Sequence, residues 1–151
     1  ARFQNDVGSE GHMAAHARLA GDREREARAL VGMGRASVRE HNFDRGLAES
    51  YQAIEIAREV DAKPILASGY YTTVLLHTAT GRLDKGEEGI DLVLTTSRAG
   101  SDVVHQSYAL TFAGRLKNWR GEYTEALPLQ AEGLRLAREV LSALSAVVVN
   151  W

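Results

Sequence analysis

The chain has 151 residues, 44% of them hydrophobic and 25% charged, with a formal net charge of -2. These proportions are those of a folded domain, and they argue against a disordered tail or a general attraction to nucleic acid or anionic membrane. The longest apolar run, residues 146–149, falls far short of the roughly 20 residues that cross a bilayer.

Read in chain order, residues 4–20 predict a first helix, a weak one because Asp6, Gly8 and Gly11 stand where apolar or helix-favouring residues belong. A second helix is expected over about 22–41, with Asp22 as its cap, and a third over about 44–60. In the third, Leu47, Ala48, Tyr51, Ile54 and Ala57 follow the three-and-four spacing of one apolar face. Asp44 and Asp84 stand where N-caps belong, and Glu87, three residues after Asp84, completes a capping-box pattern. Pro64 falls just inside a helix start, where its missing N–H costs little. Pro128 is expected in the first turn of a later helix. Leu141 to Trp151 reads as one more helix, or as an extension of the helix before it, since no glycine or proline separates the two.

These segments repeat. Ala57-Arg58-Glu59-Val60 returns as Ala137-Arg138-Glu139-Val140, and Gly34-Arg35 returns as Gly114-Arg115, both 80 residues on. Half that spacing sets a unit of 40 in which Phe3, Phe43, Leu83 and Tyr123 share a column expected to fill gaps between helices. Gly46, Gly86 and Ala126 form a column of small residues for close helix approach, and Leu47 and Leu127 form a third column to which Glu87 is the exception. Leu30, Tyr70 and Leu110 make a fourth, and Gly34, Val74 and Gly114 a fifth. The division is a half unit over 1–21, units over 22–61, 62–101 and 102–141, and a partial unit over 142–151, eight helical segments in all. Neither end carries the polar cap with which repeat arrays finish, so the chain is expected to be a fragment of a longer one.

Chemistry finds little to build on. His12 and His16 share a helix face, but no third ligand is near and there is no cysteine, so no metal is expected. His77 falls at an inward phase and is expected to pack. Ser68, Ser97 and Ser101 lack a nucleophile context, and Gly81-Arg82-Leu83-Asp84-Lys85-Gly86 lacks the ending of a phosphate loop. The chain is expected to be no enzyme and to hold no cofactor. The lack of cysteine and of a basic-then-apolar opening fits a cytoplasmic location.

Gly121-Glu122-Tyr123-Thr124-Glu125-Ala126-Leu127 resembles the turn of the tetratricopeptide repeat, and Asn42-Phe43-Asp44-Arg45-Gly46-Leu47 and Gly81-Arg82-Leu83-Asp84-Lys85-Gly86 are similar to it. The unit is longer than the common repeat of about 34 residues, and in that it resembles the helical arms of large bacterial signalling regulators of the MalT type. The resemblance implies an all-α fold: a right-handed superhelical solenoid of antiparallel helix pairs that serves as a protein- or peptide-binding scaffold. It places the first helix of each pair on a concave groove. The groove positions it implies include Arg28, Arg35, Arg39, Tyr71, Tyr108, Arg115, Asn118 and Trp119, a set with no acidic residue. Such a surface suits an acidic or aromatic-rich partner, since guanidinium groups pair with carboxylates and stack on rings. The positions of the family's carboxylate clamp correspond to Val31, Arg35, Thr72, Tyr108 and Phe112, of which only Arg35 could serve. The alternative is a structural module. Leu141, Leu144, Val147, Val148 and Trp151 would leave an apolar face open to end-to-end stacking between copies.

Overall fold

A computed structural model of the protein describes the backbone of residues 2–149 and the side chains of residues 8–142. Among the described residues there is no strand. There are seven helices, α1 Arg2–Leu19, α2 Arg23–Arg39, α3 Phe43–Glu59, α4 Lys63–Ala79, α5 Leu83–Ala99, α6 Val103–Trp119 and α7 Tyr123–Val149. Each packs on the next in the chain, and α4 also meets α2 and α6. No helix among the described residues is long and apolar enough to cross a membrane.

The turns follow one rule. Gly21, His41, Asp61, Gly81, Ser101 and Gly121 all have positive φ, between 50° and 80°, and they recur every twentieth residue. At each turn the next residue (22, 42, 62, 82, 102 or 122) donates its N–H to the carbonyl five residues back, at 2.8–3.0 Å. This is the Schellman closure, and it needs the left-handed residue before it. The carbonyl of the same residue then accepts the first bond of the next helix, for example from Gly46 to Asn42 and from Gly86 to Arg82. One residue therefore ends one helix and caps the next. Asp22 and Asp102 also cap through their side chains, accepting from the N–H groups of Arg25 and His105 at 3.0 and 3.1 Å.

This rule corrects two expectations. The N-caps are Asn42 and Arg82, not Asp44 and Asp84, because the Schellman residue is already the cap. Asp44 and Asp84 sit inside the first turn, where a carboxylate still favours the positive end of the helix dipole. The second concerns the C-terminal side. Leu141 occupies the next position in the series of twenty, and a bulky L-residue resists positive φ. No turn forms there, and α7 runs on for 27 residues through Val149 instead of yielding to a separate eighth helix. Pro128 is its sixth residue, beyond the first turn, and leaves the carbonyl of Thr124 without its helical N–H. The side chains of Phe3, Leu144, Val147 and Val148, and all of Trp151, lie outside the described residues.

The core lies between successive helices, in one cluster shared by α3 to α6 and another shared by α2 to α4. Leu30, Tyr70 and Leu110 are buried as one column, and so are the small-residue columns of Gly34, Val74 and Gly114 and of Gly46, Gly86 and Ala126. The Phe43, Leu83 and Tyr123 column is shallower than its pattern suggests. Phe43 and Leu83 are half-buried, and Tyr123 is 69% exposed. On α3, Leu47, Ile54 and Ala57 are buried as expected and are joined by Ser50, Ala53 and Ile56, while Ala48 and Tyr51 are exposed. His77 packs as expected and shares a 3.0 Å hydrogen bond with the Tyr51 hydroxyl. Burial, aided by the charges of Arg82 and Lys85, holds its imidazole below the ordinary value.

Helices α6 and α7 meet backbone to backbone. A Cβ on Gly133 would lie 2.5 Å from Thr111 Oγ1, 3.0 Å from the Thr111 N and 3.1 Å from the Ser107 O. The Ser107 hydroxyl donates to the Gly133 carbonyl at 2.8 Å. Between α1 and α2, the buried Glu26 carboxylate accepts from Arg18 at 2.7 Å and from Arg23 at 2.9 Å. Burial pushes this carboxyl up, but the two arginines outweigh it and hold it below its ordinary value of 4.5.

Three substitutions probe these contacts. Ser101→Gly relieves a non-glycine residue at φ 53° and should raise stability by roughly 1 kcal/mol, read as a higher urea midpoint. Gly133→Ala forces a methyl against the backbone of α6 and should cost about 1–3 kcal/mol by the same measurement. For Glu26, a depressed folded pKa means that its contribution is complete above the unfolded value near 4.5 and drains away as pH falls through the folded value. Glu26→Gln should lower stability at neutral pH by about 1–2 kcal/mol and flatten the acid limb of a stability-against-pH curve.

Candidate functional site

The turns at every twentieth residue set α2, α4 and α6 side by side, and the faces they share carry the candidate site. Between these three helices lies a cavity of about 320 Å³ lined by Arg28, Val31, Arg35, Ile65, Ser68 and Tyr108, together with Pro64, Val104 and His105. Its lining mixes apolar side chains with the polar groups of Arg28, Arg35, Ser68, His105 and Tyr108. Arg28 is tied to Glu24 on its own helix at 2.9 Å, whereas Arg35 is exposed and has no ion pair among the described residues. The imidazole of His105 is fixed by the Asp102 carboxylate at 2.6 Å from Nδ1 and meets the Tyr108 ring edge-on at 6.0 Å.

Tyr108 joins this cavity to a run of rings. It stacks on Tyr71 of α4 with centroids 5.4 Å apart and an interplanar angle of 27°. Tyr71 meets Phe112 edge-on at 6.1 Å, and Phe112 meets Trp119 the same way at 6.2 Å. The guanidinium of Arg115 lies over both Phe112 and Trp119, at 4.8 and 5.3 Å from their centroids. Such contacts hold the cation by its face and leave its N–H edges free for an acceptor. Burial pushes the Tyr71 phenol above its ordinary value of 10, with the Arg115 charge pulling part of the way back. Phe112 is buried, while Tyr108 and Trp119 remain 48% and 53% exposed. The buried ring thus anchors the exposed ones to the core.

Of the residues expected to line a groove, Arg28, Arg35 and Tyr108 meet in the cavity, and Tyr71, Tyr108, Arg115 and Trp119 meet in the run of rings. Arg39 and Asn118 enter neither: Arg39 is exposed near the end of α2, and the Asn118 carbonyl accepts the Gly121 N–H in a turn. His105, Asp102 and Phe112 are the additions. The charge of Asp102 is turned to the His105 imidazole and to the backbone N–H of His105. The three-residue step from Asp102 to His105 and then to Tyr108 is the signal that marks them in the sequence. Thr72, Val31 and Phe112, at positions matching a carboxylate clamp, are buried.

A second cavity, of about 390 Å³, lies on the other side of α4, between α3, α4 and α5. Its charges are partly spent within the fold, since Lys85 pairs with Glu88 at 2.7 Å and Arg58 donates to the Tyr70 hydroxyl at 2.6 Å. Among the described residues no cluster of histidine and carboxylate could hold a metal. Compared with known proteins, the chain matches no family model and no curated protein.

Proposed function

We propose that the helix pairs wind as a right-handed superhelical solenoid of the tetratricopeptide type, and that the face shared by α2, α4 and α6 is its concave, protein-binding groove. The observation that carries the reading is the pairing, on one face, of an arginine without an acidic partner with rings held half-exposed by a buried anchor. Arginine and aromatic side chains of this kind dominate the energetics of protein recognition. The partner is a protein or peptide segment, acidic or aromatic-rich, and neither nucleic acid nor membrane. The length of the unit suits a cytoplasmic scaffold within a larger bacterial signalling regulator, with no catalytic step of its own.

A second reading, stacking of copies end to end, rests on α7. Leu47 and Ile54 of α3 are buried, whereas the residues 80 positions on, Leu127 and Leu134, are 70% and 51% exposed. Their phase is the one that a following helix pair would cover.

The two readings separate by experiment. Replacing Arg35 and Arg115 together by Glu should weaken capture of the partner from cell lysate by about tenfold or more, with helix content by circular dichroism unchanged. Capture that survives this change but is lost in Leu134→Glu, along with concentration-dependent sedimentation, would transfer the function to the α7 face.

A further inference from the structure

The cavity between α3, α4 and α5 has a volume of about 390 Å³. That is near the lower end of the range of small-molecule sites, about 300–1,000 Å³. At one end its polar groups are spent on each other. The Tyr51 hydroxyl and His77 Nε2 share a hydrogen bond of 3.0 Å, and Lys85 and Glu88, whose charges act on that imidazole, pair with each other at 2.7 Å.

Seven residues further along α3 and seven back along α4 stand Arg58 and Tyr70. There the groups are not spent. The Arg58 guanidinium donates to the Tyr70 hydroxyl at 2.6 Å and lies over the Tyr70 ring, and it has no carboxylate partner among the described residues. Tyr70 is only 7% exposed, and its own hydroxyl hydrogen has no acceptor among the described residues. A buried polar group normally finds one. Glu55 lines the same cavity three residues before Arg58, and it too has no hydrogen bond or ion pair among the described residues. The apolar side chains of the lining are Ile54, buried in the core, and Leu92, 44% exposed.

This set discriminates by charge. A phosphate or a dicarboxylate would meet one unpaired cation and be repelled by Glu55. An amine would be repelled by Arg58. A ligand that carries both charges close together satisfies both groups, since residues three apart on a helix hold their Cβ atoms about 5–6 Å from each other. An α-amino acid carries its ammonium and its carboxylate on one carbon. Within a peptide no residue keeps both charges, so the pair favours the free amino acid over a segment of chain. Ile54 and Leu92 offer apolar surface to its side chain.

We propose that this cavity binds a free α-amino acid with an apolar side chain. The carboxylate accepts from the N–H groups of Arg58 and from the Tyr70 hydroxyl, the ammonium donates to Glu55, and the side chain lies against Ile54 and Leu92. The site shares no lining residue with the cavity between α2, α4 and α6 and does not depend on the groove.

L-Leucine and two relatives test this on the intact chain. Isocaproate lacks the ammonium, and isopentylamine lacks the carboxylate. A titration followed by the methyl resonances of Ile54 and Leu92 should show L-leucine binding about tenfold or more tightly than either relative. Glu55→Gln should bring L-leucine down to the level of isocaproate without weakening isocaproate itself. Arg58→Gln should bring it down to the level of isopentylamine. Both side chains are exposed, so helix content should be unchanged in either variant. Equal affinity of the three ligands for the unaltered chain, no shift with L-leucine at millimolar concentration, or shifts confined to Tyr71, Tyr108 and Trp119 would each overturn the proposal. So would an advantage of L-leucine that survives both substitutions.

Discussion

Everything in this molecule depends on the turn that closes after every seventeen-residue helix from α2 to α6. A left-handed residue followed by a residue that both closes one helix and opens the next leaves no slack in the connection. The outgoing helix must start at a fixed angle and a fixed rotation relative to the incoming one. The side chain at that capping residue matters less, which is why aspartate, asparagine, alanine, arginine and glutamate all serve there. The backbone conformation is the constraint, and glycine, histidine, aspartate and serine satisfy it at differing cost.

Fixed rotation is what makes a face from scattered residues. Because α2, α4 and α6 begin in the same phase, a residue type placed at one position of the unit reappears beside its counterpart. The glycines complete this geometry. Gly34 and Gly46 at the contact of α2 with α3, and Gly133 against α6, let the pairs approach until backbone and small side chains touch.

Much of this could be read in the sequence, and what could not has physical causes. The 40-residue unit shows itself through buried columns such as Leu30, Tyr70 and Leu110, where packing restricts the choice of residue. The shorter interval of 20 is masked because His41, Asp61 and Ser101 stand where glycine would have announced the turn. Cap positions at Asp44 and Asp84 mislead because acidic residues favour any part of a first turn. Aromatic residues at a regular interval suggest burial, yet Tyr123 is exposed, since a ring beside a turn can lie along the surface as easily as beneath it. At the site, the arginines and tyrosines are visible by their phase. Phe112 meets Arg115 and Trp119 at spacings that α6 itself encodes, but its contact with Tyr71 crosses between helices, which no spacing along a single helix can encode.

The interval of twenty also limits how such a chain can change its length. One residue added within α4 would swing everything after it by about 100° around the helix axis, carrying Leu75 off the shared face and Val74 out of the core. The following turn would still close, so the fault would persist into α5 and α6 without healing. Length can be gained or lost without harm only as whole helix pairs, or at a place where the turn has already been abandoned. Leu141 marks such a place, where α7 runs on without the turn.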